Sequence, residues 1–209
     1  YDHEEYDRAL AWVHANCKEG FDCNAEKNLP DVITKSKVVP PDEDWAFITK
    51  MTMVMRDILF GNPVLAQMGW HEESLGKNAV AGGFQGQRNW TDWLPNADFT
   101  EALLASTFDW NGTKQPTPFA TENDTLNAVA MMLGTLVTGT APCFHDVRTY
   151  WSPDACQRVT GHRPEGVAQN GFIHLINSGA TALDGNGAAV DQNGVHMMKP
   201  FWDMTEQDM

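Results

Sequence analysis

The 209-residue chain is short of positive charge: 14 Lys and Arg face 28 Asp and Glu, for a formal charge of −14. A surface so acidic repels phosphate backbones, which disfavours nucleic acid as a partner. Cysteine is scarce as well. Cys17, Cys23, Cys143 and Cys156 contain no CxxC pair, so a zinc ribbon is not indicated and reduced, buried thiols are expected. No apolar run reaches membrane-spanning length. The chain has no GK[ST] triplet, and its glycines miss the spacing of a dinucleotide fingerprint. With no signal peptide expected, the N-x-[ST] triplets at Asn89, Asn111 and Asn123 are read as coincidental and a cytoplasmic location is expected.

What remains is enough for a folded α/β unit, with 42% hydrophobic residues and 20% charged. Tyr6, Leu10 and Val13 form one stripe of an opening amphipathic helix, which Gly20 is expected to close. After a polar stretch broken by Pro30, Pro40 and Pro41, a helix is predicted over Trp45–Phe60 and stopped by Gly61-Asn62. Its Met51, Met53 and Met55 suit core packing better than a soft-metal site. Gly82, Gly83 and Gly86 loosen the chain around Gln85 and Gln87, either as a tight turn or as a loop where backbone and ligand approach closely.

"FTEALLASTFDW" predicts an amphipathic helix ending near Thr107. Pro118 to Thr121 predicts a short buried strand, followed by a helix capped by Asp124 or Thr125 and running to Val137. That helix is apolar on nearly every side, so burial is expected. "CFHDVRTYW" alternates strictly as a strand would, "SPDACQRVTG" reads as a helix with Pro153 in its first turn, and Phe172 to Ser178 as another strand. A hairpin turn is expected at 184–187 and a helix start at Thr205. Opening on a helix and stopping on a helix start, the chain reads as a piece of something longer. Helices dominate before residue 138 and strands gain after it. The expected organisation is therefore the latter part of a layered α/β domain over 1–137 and the beginning of a strand-richer C-terminal domain over 138–209, both incomplete.

Two carboxylates stand out. Glu122 lies just past the carboxyl end of the predicted strand, where open α/β sheets keep their ligand sites, and it could equally answer the dipole of the following helix. Asp146 sits mid-strand, and its plain alternative is an ion pair with Arg148. A pair of carboxylates can hold a hard divalent cation such as Mn²⁺ or Mg²⁺, or serve as acid and base in glycoside cleavage. Spacing alone leaves both open. His145 points away from Asp146 by alternation, His174 fits a core histidine, and the remaining histidines have no partner at metal spacing.

"GFQGQRNWTDWLPNADFTEALLASTFDWNG", "ATENDTLN", "DVRTYWSPDACQRVTGH" and "GFIHLINSGATALD" together resemble the L-fucose isomerase family, whose members also isomerise D-arabinose. The resemblance covers nearly the whole chain, and Phe84 to Asp184 most specifically. It implies that the chain is a middle section of a longer protein. It also implies a metal, usually Mn²⁺, held by Glu122, Asp146 and a His that lies beyond Met209, with Gln85 and Ser178 touching sugar hydroxyls. The implied mechanism is an aldose–ketose isomerisation through a metal-bound cis-enediol, with Glu122 and Asp146 moving the protons and Arg148 orienting Asp146. The implied assembly is a hexamer. A non-catalytic assembly module and a metal-free glycosidase are the alternatives.

Overall fold

A computed structural model describes residues 1–17, 41–85 and 97–176. Helix α1 (His3–Asn16) is capped by the Asp2 carboxylate, which accepts from the Glu4 N–H at 2.9 Å. Its buried stripe is Glu5, Ala9 and Val13, sharing Val13 with the predicted one but with Glu5 and Ala9 in place of Tyr6 and Leu10, and it ends at Cys17; Gly20 lies outside the described residues. Helix α2 (Pro41–Phe60) starts four residues earlier than predicted. Proline fits a first helical turn, where no intrahelical N–H is required, so Pro41 opens this helix rather than breaking the chain. Met53 is fully buried, in keeping with a packing role. A short helix α3 (Pro63–Gln67) follows, capped by Asn62.

Helix α4 (Asp98–Ala105) is buried at every position from Thr100 to Ala105, so it is a core helix rather than an amphipathic one. It packs on α2, which also packs on α1. A small antiparallel pair, β1 (Phe108–Asp109) and β2 (Gly112–Thr113), comes next. Glu5 joins it to the helices. Both terminal guanidinium nitrogens of Arg56 donate to Glu5, at 2.5 and 2.7 Å, and Trp110 and Asn111 donate to the same carboxylate at 2.9 and 2.8 Å. Burial alone would push this acid up, but those four donors outweigh it and bring Glu5 down to about 2.

The predicted strand at Pro118–Thr121 is a buried extended segment making one parallel bridge, Gly82 to Phe119. Helix α5 (Thr125–Thr138) follows, ended by Gly139 in the left-handed conformation. Its expected burial is not what the structure has: only Ala128 and Met131 are buried, while Leu126 is 87% and Val137 85% exposed. One side of α5 meets the core, and among the described residues nothing covers the others. Strand β3 (Asp146–Trp151) pairs antiparallel with β4 (Phe172–Ile176) around helix α6 (Pro153–Thr160), which Ser152 and Gly161 cap. A register shift between Val147 and Thr149 breaks the strict alternation expected there. The described residues are thus mixed α/β, helices with small antiparallel sheets. The readings at 184–187 and Thr205, like Ser178 and Cys23, fall outside them.

Candidate metal and sugar site

Two apolar clusters hold the segments that carry the candidate residues. Leu59, Leu104 and Phe119 form one, with Phe84 packed against it. Ala105, Ala120, Ala128, Met131 and Phe144 form the other. Ala120 lies two residues before Glu122, and Phe144 two residues before Asp146. A single cluster under the start of α5 therefore anchors both carboxylate-bearing segments. Asn127 adds a polar tie, its side-chain amide donating to the His145 carbonyl at 3.1 Å.

The Glu122 turn is conformationally unusual. The Thr121–Asn123 segment is a short 3₁₀ turn in which Glu122 (φ 56°, ψ 17°) and Asn123 (φ 59°) are both left-handed. Asparagine tolerates this region, whereas glutamate pays about 1–2 kcal/mol for it. Such strain persists only where the surroundings over-determine it. Here Gly82 accepts from the Ala120 N–H at 2.8 Å and donates to the Pro118 carbonyl at 3.0 Å. A Cβ on Gly83 would lie 2.5 Å from the Ala120 oxygen and 2.9 Å from the Asn123 Cα, so only glycine lets this strand-like segment lie against the turn. Gln85 lies three residues beyond the Gly82 pairing, exposed, at the end where Glu122 emerges.

Beneath the turn lies a residue that the sequence reading passed over. Glu101 on α4 is 2% exposed, and its Oε2 accepts the hydroxyl of buried Thr121 at 2.7 Å. Among the described residues its Oε1 has no hydrogen-bond partner, a cost of about 1–3 kcal/mol for a buried acceptor. Burial, with smaller contributions from the charges of Asp98 and Glu122, pushes Glu101 up to about 7. A lone acid inside "FTEALLAST" was the available signal.

Asp146 is the first residue of β3 rather than mid-strand, and it is half-buried. Arg148 approaches it at 3.2 Å, so the ion pair exists, but both partners meet solvent and the pair contributes little to stability. His145 is exposed, and the His174 Nδ1 accepts from the Trp151 indole at 3.3 Å, consistent with a structural histidine. Glu122 and Asp146 supply hard oxygen donors of the kind that suits Mn²⁺ or Mg²⁺. Among the described residues no group of three His, Cys, Asp or Glu gathers to hold an ion, so the pair fits a hard cation in kind and offers part of a ligand set. A cavity of about 620 Å³, lined by residues such as Phe60, Leu104, Pro118, Met132 and Leu136, includes neither carboxylate.

The family model described as L-fucose isomerase, second N-terminal domain, matches residues 1–139. The chain belongs to the L-fucose isomerase family. Among its relatives, the L-fucose isomerase of Clostridium perfringens (strain 13 / Type A) is 62% identical over 209 residues, all of this chain and 35% of that protein. The L-fucose isomerase of Phocaeicola vulgatus is 54% identical over 211 residues, covering 100% of the chain and 35% of the relative. That of Vibrio vulnificus is 53% identical over 208 residues, 100% and 34%. The chain thus spans about a third of the length of these L-fucose isomerases. Among the described residues no helix is long and apolar enough to cross a membrane.

Proposed function

We propose that the protein carrying this chain is an aldose–ketose isomerase that converts L-fucose to L-fuculose, and D-arabinose to D-ribulose. The observation that carries the reading is the anchoring, by one apolar cluster at the start of α5, of the segments that carry Glu122 and Asp146, in a chain of this family. Glu122 and Asp146 would hold Mn²⁺, with a third ligand from outside this chain. When bound, the cation supplies Lewis-acid polarisation of the sugar carbonyl.

The carboxylates do the proton work. One removes the proton from C2 of the open-chain aldose, and the carbonyl oxygen O1 gains a proton, giving a cis-enediol. The O2 hydroxyl then loses its proton while C1 receives one, giving the ketose. Arg148 steadies Asp146, and Gln85 and Ser178 contact the sugar hydroxyls. Isomerisation in D₂O tests the step: deuterium at C1 of L-fuculose is expected, and complete exclusion of solvent deuterium at C1 would point to direct hydride transfer instead.

For the 209 residues alone a second reading holds: weak Mn²⁺ binding and no turnover. It is favoured by a carboxylate pair that gathers no third ligating group among the described residues. Measurable isomerisation by the isolated chain would contradict it. The domain division at 137/138, a hexameric assembly and a cytoplasmic location complete the proposal. Exposed Leu126, Leu133, Leu136 and Val137 on α5 are consistent with cover from a further part of the protein or a neighbouring subunit.

A further inference from the structure

We propose that Glu101 is a positioning residue for Glu122: its buried carboxyl holds the Thr121 hydroxyl and so fixes the left-handed turn that aims the Glu122 side chain. The inference rests on the reading of Glu122 as a metal ligand.

The geometry singles out this contact. Thr121 is 1% exposed and immediately precedes Glu122 in the chain. The turn's own backbone bonds, Asn123 N–H to the Ala120 carbonyl and Asp124 N–H to the Thr121 carbonyl, are both 3.2 Å long. The Thr121–Glu101 bond is shorter, at 2.7 Å, and it comes from a different element, the core helix α4. Asp124 makes no side-chain capping bond to α5, so the helix that follows does not brace the turn in that way. Gly83 presses on the turn from one side without a side chain, and Glu101 is a polar anchor beneath it. An acid that served only to fill space at this point would be better replaced by an apolar residue, since its Oε1 has no partner among the described residues. What a leucine there could not do is hold the hydroxyl of Thr121.

The test uses the full-length protein and reads Mn²⁺ affinity by electron paramagnetic resonance, alongside kcat and KM for L-fucose and the melting temperature. Thr121→Val keeps the shape and removes the hydroxyl; Glu101→Leu removes the acceptor; Glu101→Gln keeps a carbonyl acceptor and is the rescue. Expected are Mn²⁺ affinities about 10–100-fold weaker in Thr121→Val and Glu101→Leu, with kcat reduced more than KM is raised, and near-normal affinity in Glu101→Gln. If Glu101→Leu does not fold, Thr121→Val, which is nearly isosteric, decides the question. Wild-type affinity in Thr121→Val, or a lower melting temperature with affinity unchanged, would overturn the proposal and leave Glu101 a core residue. Glu122→Gln runs in parallel. Loss of Mn²⁺ there, with Thr121→Val unaffected, rejects only the positioning role; undiminished Mn²⁺ binding in Glu122→Gln overturns the ligand reading and this inference together.

Discussion

The side-chain amide of Asn127 donates to the carbonyl oxygen of His145 at 3.1 Å, bridging the first turn of α5 to the residue before Asp146. Glu122 sits three residues ahead of that helix, so the bond ties the helix that follows Glu122 to the segment that carries Asp146. The apolar cluster of Ala120, Ala128, Met131 and Phe144 joins the same two segments, and this hydrogen bond adds a polar tie between them.

Asn127→Ala should therefore harm function more than stability. The bond is solvent-exposed, so its loss costs about 0.5–1 kcal/mol. Catalysis depends on placement at the ångström scale, and kcat/KM for L-fucose in the full-length protein should fall about tenfold or more. Equal wild-type kinetics would mean that the cluster alone suffices.

Glu122→Gly should separate stability from activity. The left-handed backbone at φ 56° costs glutamate energy that glycine does not pay, while Glu122 itself is exposed and buries nothing. Unfolding stability should rise by about 1 kcal/mol, and isomerisation should vanish. A denaturant midpoint below that of the wild type would show that the Glu122 side chain holds the turn instead of straining it.

Two buried acids give opposite pH dependences. Glu101 is raised from its ordinary 4.5 to about 7, so the folded protein keeps a proton there that the unfolded chain releases. Below about 4.5 both states are protonated and nothing is lost. As pH climbs from 4.5 to 7 stability falls, by on the order of 3 kcal/mol in all, and then levels. Glu5 is lowered to about 2, so its contribution is fully present above 4.5 and disappears as pH drops through 2. Glu101→Gln should flatten the descent between pH 4.5 and 7 and leave the acid limb untouched, as read from urea midpoints at a series of pH values.

Local signals were the most legible in the sequence. Pro153 and Gly161 bracket their helix as expected, Gly61 stops α2, and Glu122 lies where an extended segment hands over to a helix. Features set by distant residues were not legible. The left-handed turn belongs to a glutamate, a residue type with no preference for that region, and it depends on Gly83, which is remote in sequence. Glu101 was hidden within an apolar run because its partner, Thr121, comes from another segment. The all-apolar composition of α5 predicted burial, but composition does not say which part of a protein supplies the cover. The bulge after Val147 arises from pairing with β4, which alternation in one strand cannot reveal.

The central claim is that Glu122 and Asp146 serve a metal-dependent isomerisation. It is tested most directly by assaying L-fuculose formation from L-fucose by the full-length protein, with added Mn²⁺, after EDTA, and in the Glu122→Gln variant. L-Fuculose that forms with Mn²⁺, stops on chelation, returns when Mn²⁺ is restored and is absent in Glu122→Gln is the predicted result. Turnover that survives both EDTA and Glu122→Gln would contradict the account.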